Sequence, residues 1–501
     1  MTRITTSLCF IAALTITSQA QLSGTYTVGG TSPDFTTLSV AVSALMSSGA
    51  SGNVTFLIRP GTYNGQYSLG TIPGTPGSIV FRSETFDAAD VTLEFDAAFP
   101  LPNHIFEIDG TDDLFFNYLT FHPLNYDRAR AINFFNDANL FGIDDCVFIG
   151  SQNPSTSGYF DRILVQCDQV NAGGTDNPDD VMMDDCSFLY GNEAIDLNFS
   201  GLGGQRSQGL IISDNTFIDQ VGAGVVINAA VGQFENNLMT TTVGNSFYGL
   251  STNYFDGGSQ VRRNVFQLTS TVFGTIGMSV GNTQFTTGNM ISNNMITVDG
   301  PGENWGLGIV NLWDMKVMHN SVAVLGGLSS SIACYHFSNF ADGQDALVRN
   351  NIFSNHSGGP ALKVNFTGNI ATEDHNDLFT TGADIASIGG TNYTTIAAYQ
   401  AGTSDGAGDV KIDPAFPFLP DLHLNSCALD GLGQYFFVVA SDIDGDARAN
   451  PACDMGADEF TYSGSATITV NVLSSDLPLT LTAGSGSGYQ WNTGATTQSI
   501  S

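Results

Sequence analysis

Lysine is almost missing from this 501-residue chain: only Lys316, Lys363 and Lys411 occur. Glutamate is nearly as scarce, with 8 residues against 40 aspartates. These two residues favour helix interiors, whereas the 57 glycines and the many Asp and Asn residues favour turns, so a mainly helical fold is excluded. Basic charge is short as a whole: Lys+Arg number 14 against Asp+Glu 48, a formal net charge of −34. Nucleic-acid and anionic-membrane binding need clustered Lys and Arg to meet phosphates, and both are excluded. Unassisted capture of polyanionic sugars is disfavoured on the same ground. Long apolar runs are lacking too, and no CxxC pair offers metal-ligand spacing. What is present is 42% hydrophobic residues with 35 Phe, which excludes a wholly disordered acidic chain.

Residues 1–20 read as a secretory signal. Arg3 gives the positive start, Leu8 to Ile16 a short apolar core, and Ser18-Gln19-Ala20 a small-x-small cleavage site. The core is too short to cross a bilayer, and no later stretch reads as transmembrane. The expectation is an exported protein, outside the cell or on its outer surface. Of the cysteines beyond the signal, Cys427 and Cys453 flank one compact C-terminal segment and are the expected disulfide; the others sit in apolar strand patterns.

One short pattern organises the chain: apolar, two variable residues, Asn or Cys, one variable residue, apolar. It runs from Leu114-Phe-Phe-Asn117-Tyr-Leu119 and Ile143-Asp-Asp-Cys146-Val-Phe148 through Met183-Asp-Asp-Cys186-Ser-Phe188 to Val348-Arg-Asn-Asn351-Ile-Phe353. Between these lie copies centred on Asn215, Asn237, Asn264, Asn294 and Asn320, and a degenerate last copy, Glu373-Asp-His-Asn376-Asp-Leu378, has lost its first apolar residue. Most spacings are 22 to 31 residues, a solenoid period. The units alternate like strands and have no amphipathic helices between them, so a parallel β-helix is expected. In it, the Asn column stacks at the ~4.8 Å strand spacing, each amide donating to one coil and accepting from the other.

A second strand precedes many copies, as in Ile195-Asp-Leu-Asn-Phe199, Val225-Val-Ile-Asn228, Ile276-Gly-Met-Ser-Val280 and Leu362-Lys-Val-Asn-Phe366. Alternation turns Asp196, Asn198, Asn228, Ser279, Lys363 and Asn365 outward, and Ile163-Leu-Val-Gln-Cys167 adds Gln166. This predicts a long outward strip of amides.

The ends differ from the middle. Leu38 to Met46 has helical spacing with Gly49 after it, and residues 21–50 are read as an N-terminal cap with a helix lid over coils at 51–380. Residues 381–460 read as the C-terminal cap. They carry Asp413-Pro-Ala-Phe416, Ser426-Cys-Ala-Leu-Asp430-Gly431, Asp442-Ile-Asp-Gly-Asp-Ala-Arg448 and Asp454-Met-Gly-Ala-Asp-Glu-Phe460. With Asp34-Phe-Thr-Thr and Pro60-Gly-Thr-Tyr63 near the start, these motifs resemble the right-handed parallel β-helix proteins of the pectin-lyase-like superfamily, in their large extracellular bacterial branch. The resemblance covers roughly residues 25–460 and implies the fold, not an activity. Residues 461–501 turn to Thr, Ser and Gly with alternating apolar residues and resemble the start of an immunoglobulin-like module, cut short, with a surface-sorting tail expected to follow.

Several groups carry candidate chemistry. Asp442, Asp444 and Asp446 resemble half a calcium loop, and Ca²⁺ is the cofactor such oxygens would take; paired aspartates at 144–145 and 184–185 offer the same donors, or simply good turns. Lyase chemistry needs a base and a cation beside a sugar acid, for which Lys363, Arg262 and Arg263 are candidates, with Asp196 on the strip for acid–base work. Glu235 occupies the corner equivalent to that of Arg262 one coil earlier, which suggests a stacked ion pair instead. Three functions follow. One is recognition of a polysaccharide or cell-surface glycan by Gln166, Asn198, Asn228, Ser279 and Asn365; the others are polysaccharide lyase or glycoside hydrolase activity, and a non-catalytic adhesin or stalk.

Overall fold

The computed structural model describes residues 20–97, 102–125, 127–152, 162–169, 177–199, 205–242, 247–282, 287–311, 314–337, 346–367 and 370–461, with a strand pair at 481–482 and 499–500. The predicted signal peptide up to residue 19 and, that strand pair aside, the predicted immunoglobulin-like start beyond Thr461 lie outside these residues.

The short strands of each repeat pair in parallel with their equivalents one repeat away, and the expected parallel β-helix is the observed fold. Three faces result. Face 1 holds the first half of each motif, from Ala50–Ile58 to Ile370–Asp374; face 2 holds the second half as a 12-stranded sheet from Gly61–Asn64 to Asp377–Thr380. Face 3 holds the preceding strands, from Tyr67–Leu69 to Ala386–Ile388. Faces 1 and 3 merge into one 25-stranded sheet because the strand Ala223–Glu235 runs through both.

The motif explains the corner between faces 1 and 2. The residue before each ladder position bends the chain with positive φ: Asp145, Asp185, Asp214, Asn236, Arg263, Asn293, His319, Asn350 and His375 all lie between 48° and 57°. Asp, Asn and His tolerate this left-handed conformation best, so the paired aspartates are corner residues first. The next residue then forms the ladder. Asn294 is fully buried; its Nδ2 donates to Asn320 Oδ1 and to Val261 O, each at 2.9 Å. Its Oδ1 accepts from Asn264 N at 3.1 Å and Asn264 Nδ2 at 2.9 Å. The pattern continues from Cys186 to Asn376, whose N–H donates to Asp409 Oδ1 at 2.8 Å; an aspartate thus terminates the ladder. Two residues on, Phe121, Phe148, Phe188 and Phe217 stack one coil apart at 4.8–5.0 Å, nearly parallel.

The first copy departs from expectation. Ile143 pairs with Phe116, not with Leu114, so Asn117 faces outward opposite Asp144 and donates to its Oδ2 at 3.0 Å. Leu119 holds the column position, and Tyr118 before it has the corner φ of 54°.

At the N-terminus the structure begins one strand earlier than the sequence suggests: Leu22–Val28 pairs in parallel with Ala50–Ile58. The helix Leu38–Ser48 joins them and lids the core with Leu38, Ala41, Val42 and Leu45, spaced for one face. Thr37 caps it, accepting from Val40 N; Asp34 instead accepts from Thr27 N and Oγ1. Gly49 ends it at φ 72°, where a Cβ would meet Pro73 O at 2.0 Å. At the other end an antiparallel hairpin, Ala386–Ile388 with Thr391–Tyr393, and the helix Ile396–Thr403 follow the last coil.

The segment from 410 to 460 then folds back along the outside of face 2. Leu422 and Ala457 pack on Met295 and Ala323, while Leu424, Leu429 and Met455 pack on Ile352. The terminal motifs lock this strap. Arg448, 4% exposed, donates to Asn293 Oδ1 at 2.8 Å and pairs with Glu459 at 3.4 Å. Asp454 accepts from Gly431 N and Phe460 N, and Asp458 from Leu424 N. Face 2 is therefore covered over much of its C-terminal half, and among the described residues no comparable strap lies over face 3.

Candidate functional site

On face 3 the register runs one outward column through Glu107, Asn133, Gln166, Asp196, Val226, Ser251, Ser279, Gly308, Tyr335 and Lys363. Four predicted residues, Gln166, Asp196, Ser279 and Lys363, share it. They do not share a site: Lys363 is six coil steps from Asp196, roughly 29 Å at strand spacing. Acid–base work by these two together is ruled out.

Asn198 and Asn228 lie in the neighbouring column and form a second ladder. Asn228 Nδ2 donates to Asn198 Oδ1 at 3.0 Å, Asn253 to Asn228 at 3.0 Å, Asn282 to Asn253 at 2.8 Å and Asn311 to Asn282 at 2.7 Å. Their amides are largely committed to one another rather than held ready for a ligand. Asn365 follows the strand Leu362–Val364 and uses its backbone N–H on His336 O at 3.1 Å.

The other predicted residues are structural. Arg262 pairs with Glu235 on face 1, as the stacked corners suggested, and Arg263 donates to Ser441 Oγ of the strap at 2.8 Å. Asp442 is buried, and its carboxylate accepts the backbone N–H groups of Asp444, Asp446 and Glu459 at 2.8–3.0 Å. That is a turn lock, and among the described residues only Asp444 of the Asp442, Asp444, Asp446 trio falls in a group of ligand atoms close enough to hold a metal ion. Donor atoms within 4.8 Å of one another do occur at His423, Asp444 and Asp458, and at Asp144, Asp184 and Asp185, three ligand groups each. Cys427 is exposed while Cys453 is buried on a short strand, and no bridge joins them in the structure.

The N-terminal half of face 3 carries acids in a desolvated setting. Burial pushes Glu193 up to about 7, with the Asp196 charge adding to it. Asp196 is pushed up to about 6 by burial, against the hydrogen bond from Gln166. Near neutral pH such carboxyls donate as well as accept hydrogen bonds. Gln166, 6% exposed, directs Nε2 toward Asp196 at 3.5 Å and leaves Oε1 without a hydrogen-bond partner.

The C-terminal half is aromatic, which sequence reasoning missed. The Trp305 and Tyr335 rings meet edge to face at 4.9 Å and 87°, and Phe337 lies 5.9 Å from Tyr335. Lys363 Nζ stands 5.0 Å over the Tyr335 ring, and Trp305 Nε1 donates to Glu303 at 2.8 Å. Beside them, between Ser279 and Tyr335 in the outward column, lies Gly308, which is itself buried. A Cβ there would touch nothing closer than 3.4 Å, so packing does not require the glycine; by contrast one at inward Gly306 would meet Val322 at 2.2 Å.

No protein-family model matches this chain, and no curated protein does. Among solved structures it is similar to pectate lyase Pel9A, at 15% identity over 89% of this chain and 98% of that one, with a TM-score of 0.41. It is also similar to a mutant of the periplasmic alginate epimerase AlgG, at 11% identity over 67% and 74%, TM-score 0.34. A third is the Streptococcus pneumoniae surface protein and adhesin PfbA, at 11% identity over 60% and 89%, TM-score 0.30. At these identities and scores the matches carry no chemistry over. The class, a parallel β-helix protein, rests on the strand register. Among the described residues no helix is long and apolar enough to cross a membrane.

Proposed function

We propose that this is an exported protein that binds carbohydrate along face 3, with a pyranose ring against the cluster of Trp305, Tyr335 and Phe337. The observation that carries the reading is the outward cluster of Trp305, Tyr335 and Phe337 beside a glycine that packing does not demand. Aromatic faces cover the apolar face of a sugar, while Ser279, Lys363 and Glu303 surround it with polar groups for hydroxyls. Toward the N-terminus, Asp196, Glu193 and Gln166 offer further donors and acceptors on the same face. Neutral glycans suit this surface better than polyanions, given the net charge of −34.

Binding is favoured over catalysis because Lys363, Asp196, Arg262 and Arg263 stand apart. A glycan array tests the reading. Saturable binding to a neutral glycan that falls about 10-fold in Trp305→Ala and in Tyr335→Ala, equivalent to ~1.4 kcal/mol each, supports it. Silence on every neutral glycan, or binding indifferent to both substitutions, refutes it.

A further inference from the structure

The C-terminal end of the solenoid is not filled flush. Beside the last coil and the hairpin–helix cap lies a cavity of about 160 Å³, lined among others by Phe366, Glu373, Ile388, Tyr393, Tyr399 and Asp405. Tyr393 and Tyr399 stand as perpendicular panels, their centroids 5.6 Å apart at 81°. Gly402 keeps Tyr393 in place, since a Cβ there would strike its ring at 2.5 Å. Phe366, 39% exposed, lies toward the open side. The charged-type residues of the lining are Glu373 and Asp405; among the described residues it includes no Lys, Arg or His.

Glu373 is the departure noted in the last motif copy. It takes the core position held by Val317 and Val348 in the coils before it, and it is 1% exposed. Burial pushes its carboxyl well up, the nearby Asp409 adds to this, and the Tyr399 hydroxyl and Asn376 amide oppose it. A carboxyl carried into a core without a cation stays protonated. Its oxygens accept from Asn376 Nδ2 at 2.6 Å and from Tyr399 Oη at 2.9 Å, and its proton is shared in a side-chain hydrogen bond with Asp409. An ionised Glu373 would need a positive charge nearby to replace that shared proton, and the cavity brings its carboxyl together with three aromatic rings. Aromatic walls suit such a charge, and they do not suit a hard metal ion, which needs a shell of oxygens.

We propose that this cavity binds a small organic cation of the alkylammonium class, its methyl groups against Tyr393, Tyr399 and Phe366 and its charge beside the Glu373 carboxylate. Occupancy favours the ionised carboxylate, so binding releases a proton to solvent. The groups facing Glu373 are Asp409 and Tyr399, with Cys334 near it; Asp374 and His375 stand beside Asp409, and Asp405 and Tyr393 line the cavity. This site is independent of the carbohydrate reading.

Calorimetry on the full chain tests it, with choline as probe against its neutral isostere 3,3-dimethyl-1-butanol. Saturable choline binding at least 10-fold tighter than that of the isostere, tightening from pH 6 to pH 8, supports the proposal. Glu373→Gln should then weaken choline 10-fold or more and abolish the pH dependence, while Tyr393→Phe retains binding. No saturable heat at millimolar choline, or equal binding of the isostere, overturns it. That comparison needs only the unmodified protein, so it decides the matter even where a variant fails to fold.

Discussion

Replacing Asn294 by alanine removes four hydrogen bonds from the buried ladder, and their fates differ. Asn320 Oδ1 still accepts from the backbone N–H of residue 294, and Asn264 Nδ2 keeps Phe234 O and Arg262 O. The Asn264 backbone N–H loses its side-chain acceptor, and Val261 O loses a donor. An orphaned buried donor costs about 1–3 kcal/mol, and each lost neutral bond about 0.5–1.5 kcal/mol, so a loss of ~3–4 kcal/mol is expected. Asn228→Ala is the control. It removes two amide bonds of the same kind from the half-buried outer ladder, where water replaces them, for at most ~1 kcal/mol. A long solenoid does not unfold as one unit, so local opening energies from hydrogen exchange over residues 261–296 are the measure. Equal losses in the two variants, or less than ~1 kcal/mol for Asn294→Ala, would refute the claim that burial of the amide column holds the coils together.

Other predictions follow from the same geometry. Gly308→Ala places a Cβ no closer than 3.4 Å to any neighbour and should leave the melting temperature within a degree or two, as thermal melts would show. Arg448→Met leaves Glu459 and Asn293 without their partner and should destabilise the strap by ~3 kcal/mol, read as faster limited proteolysis within residues 410–460. Glu193 has a folded pKa raised from 4.5 to about 7, so its protonated form stabilises the fold. That contribution is complete below about pH 4.5 and is lost as pH rises through 7. Thermal melts should show stability falling across this window by at most roughly 3 kcal/mol, and Glu193→Gln should flatten the slope; an unchanged slope in the variant would assign the effect elsewhere.

The architecture was legible because a parallel coil repeats its demands at fixed positions: an apolar residue, a corner that tolerates positive φ, an amide, an apolar residue. The first copy shows the limit. Leu114 to Leu119 and Phe116 to Phe121 satisfy the same apolar spacing two residues apart, and Asn117 made the wrong phase look right, although Leu119 fills the column. Outward directions on face 3 were also legible from alternation, but partners were not. Asn198 and Asn228 point outward as expected and then find each other, because the nearest amide is one coil away. Column membership says nothing of distance along the axis, so placing Asp196 and Lys363 on one outward face did not reveal how far apart they stand. Trp305 and Tyr335 escaped notice because connections of unequal length separate each face 3 strand from its motif: Leu307 precedes Val317 by ten residues, Cys334 precedes Val348 by fourteen.

The corner between faces 1 and 2 has the same length in nearly every copy, pinned by its left-handed residue and its ladder amide. Variation in chain length is thereby confined to the two remaining corners, and both of them border face 3. Loop extension is cheap, about 0.6 kcal/mol for each doubling of length. A lineage of such chains can thus raise or lower the banks of this one trough, coil by coil, and so retailor what lies in it, while the stacked interior never registers the change.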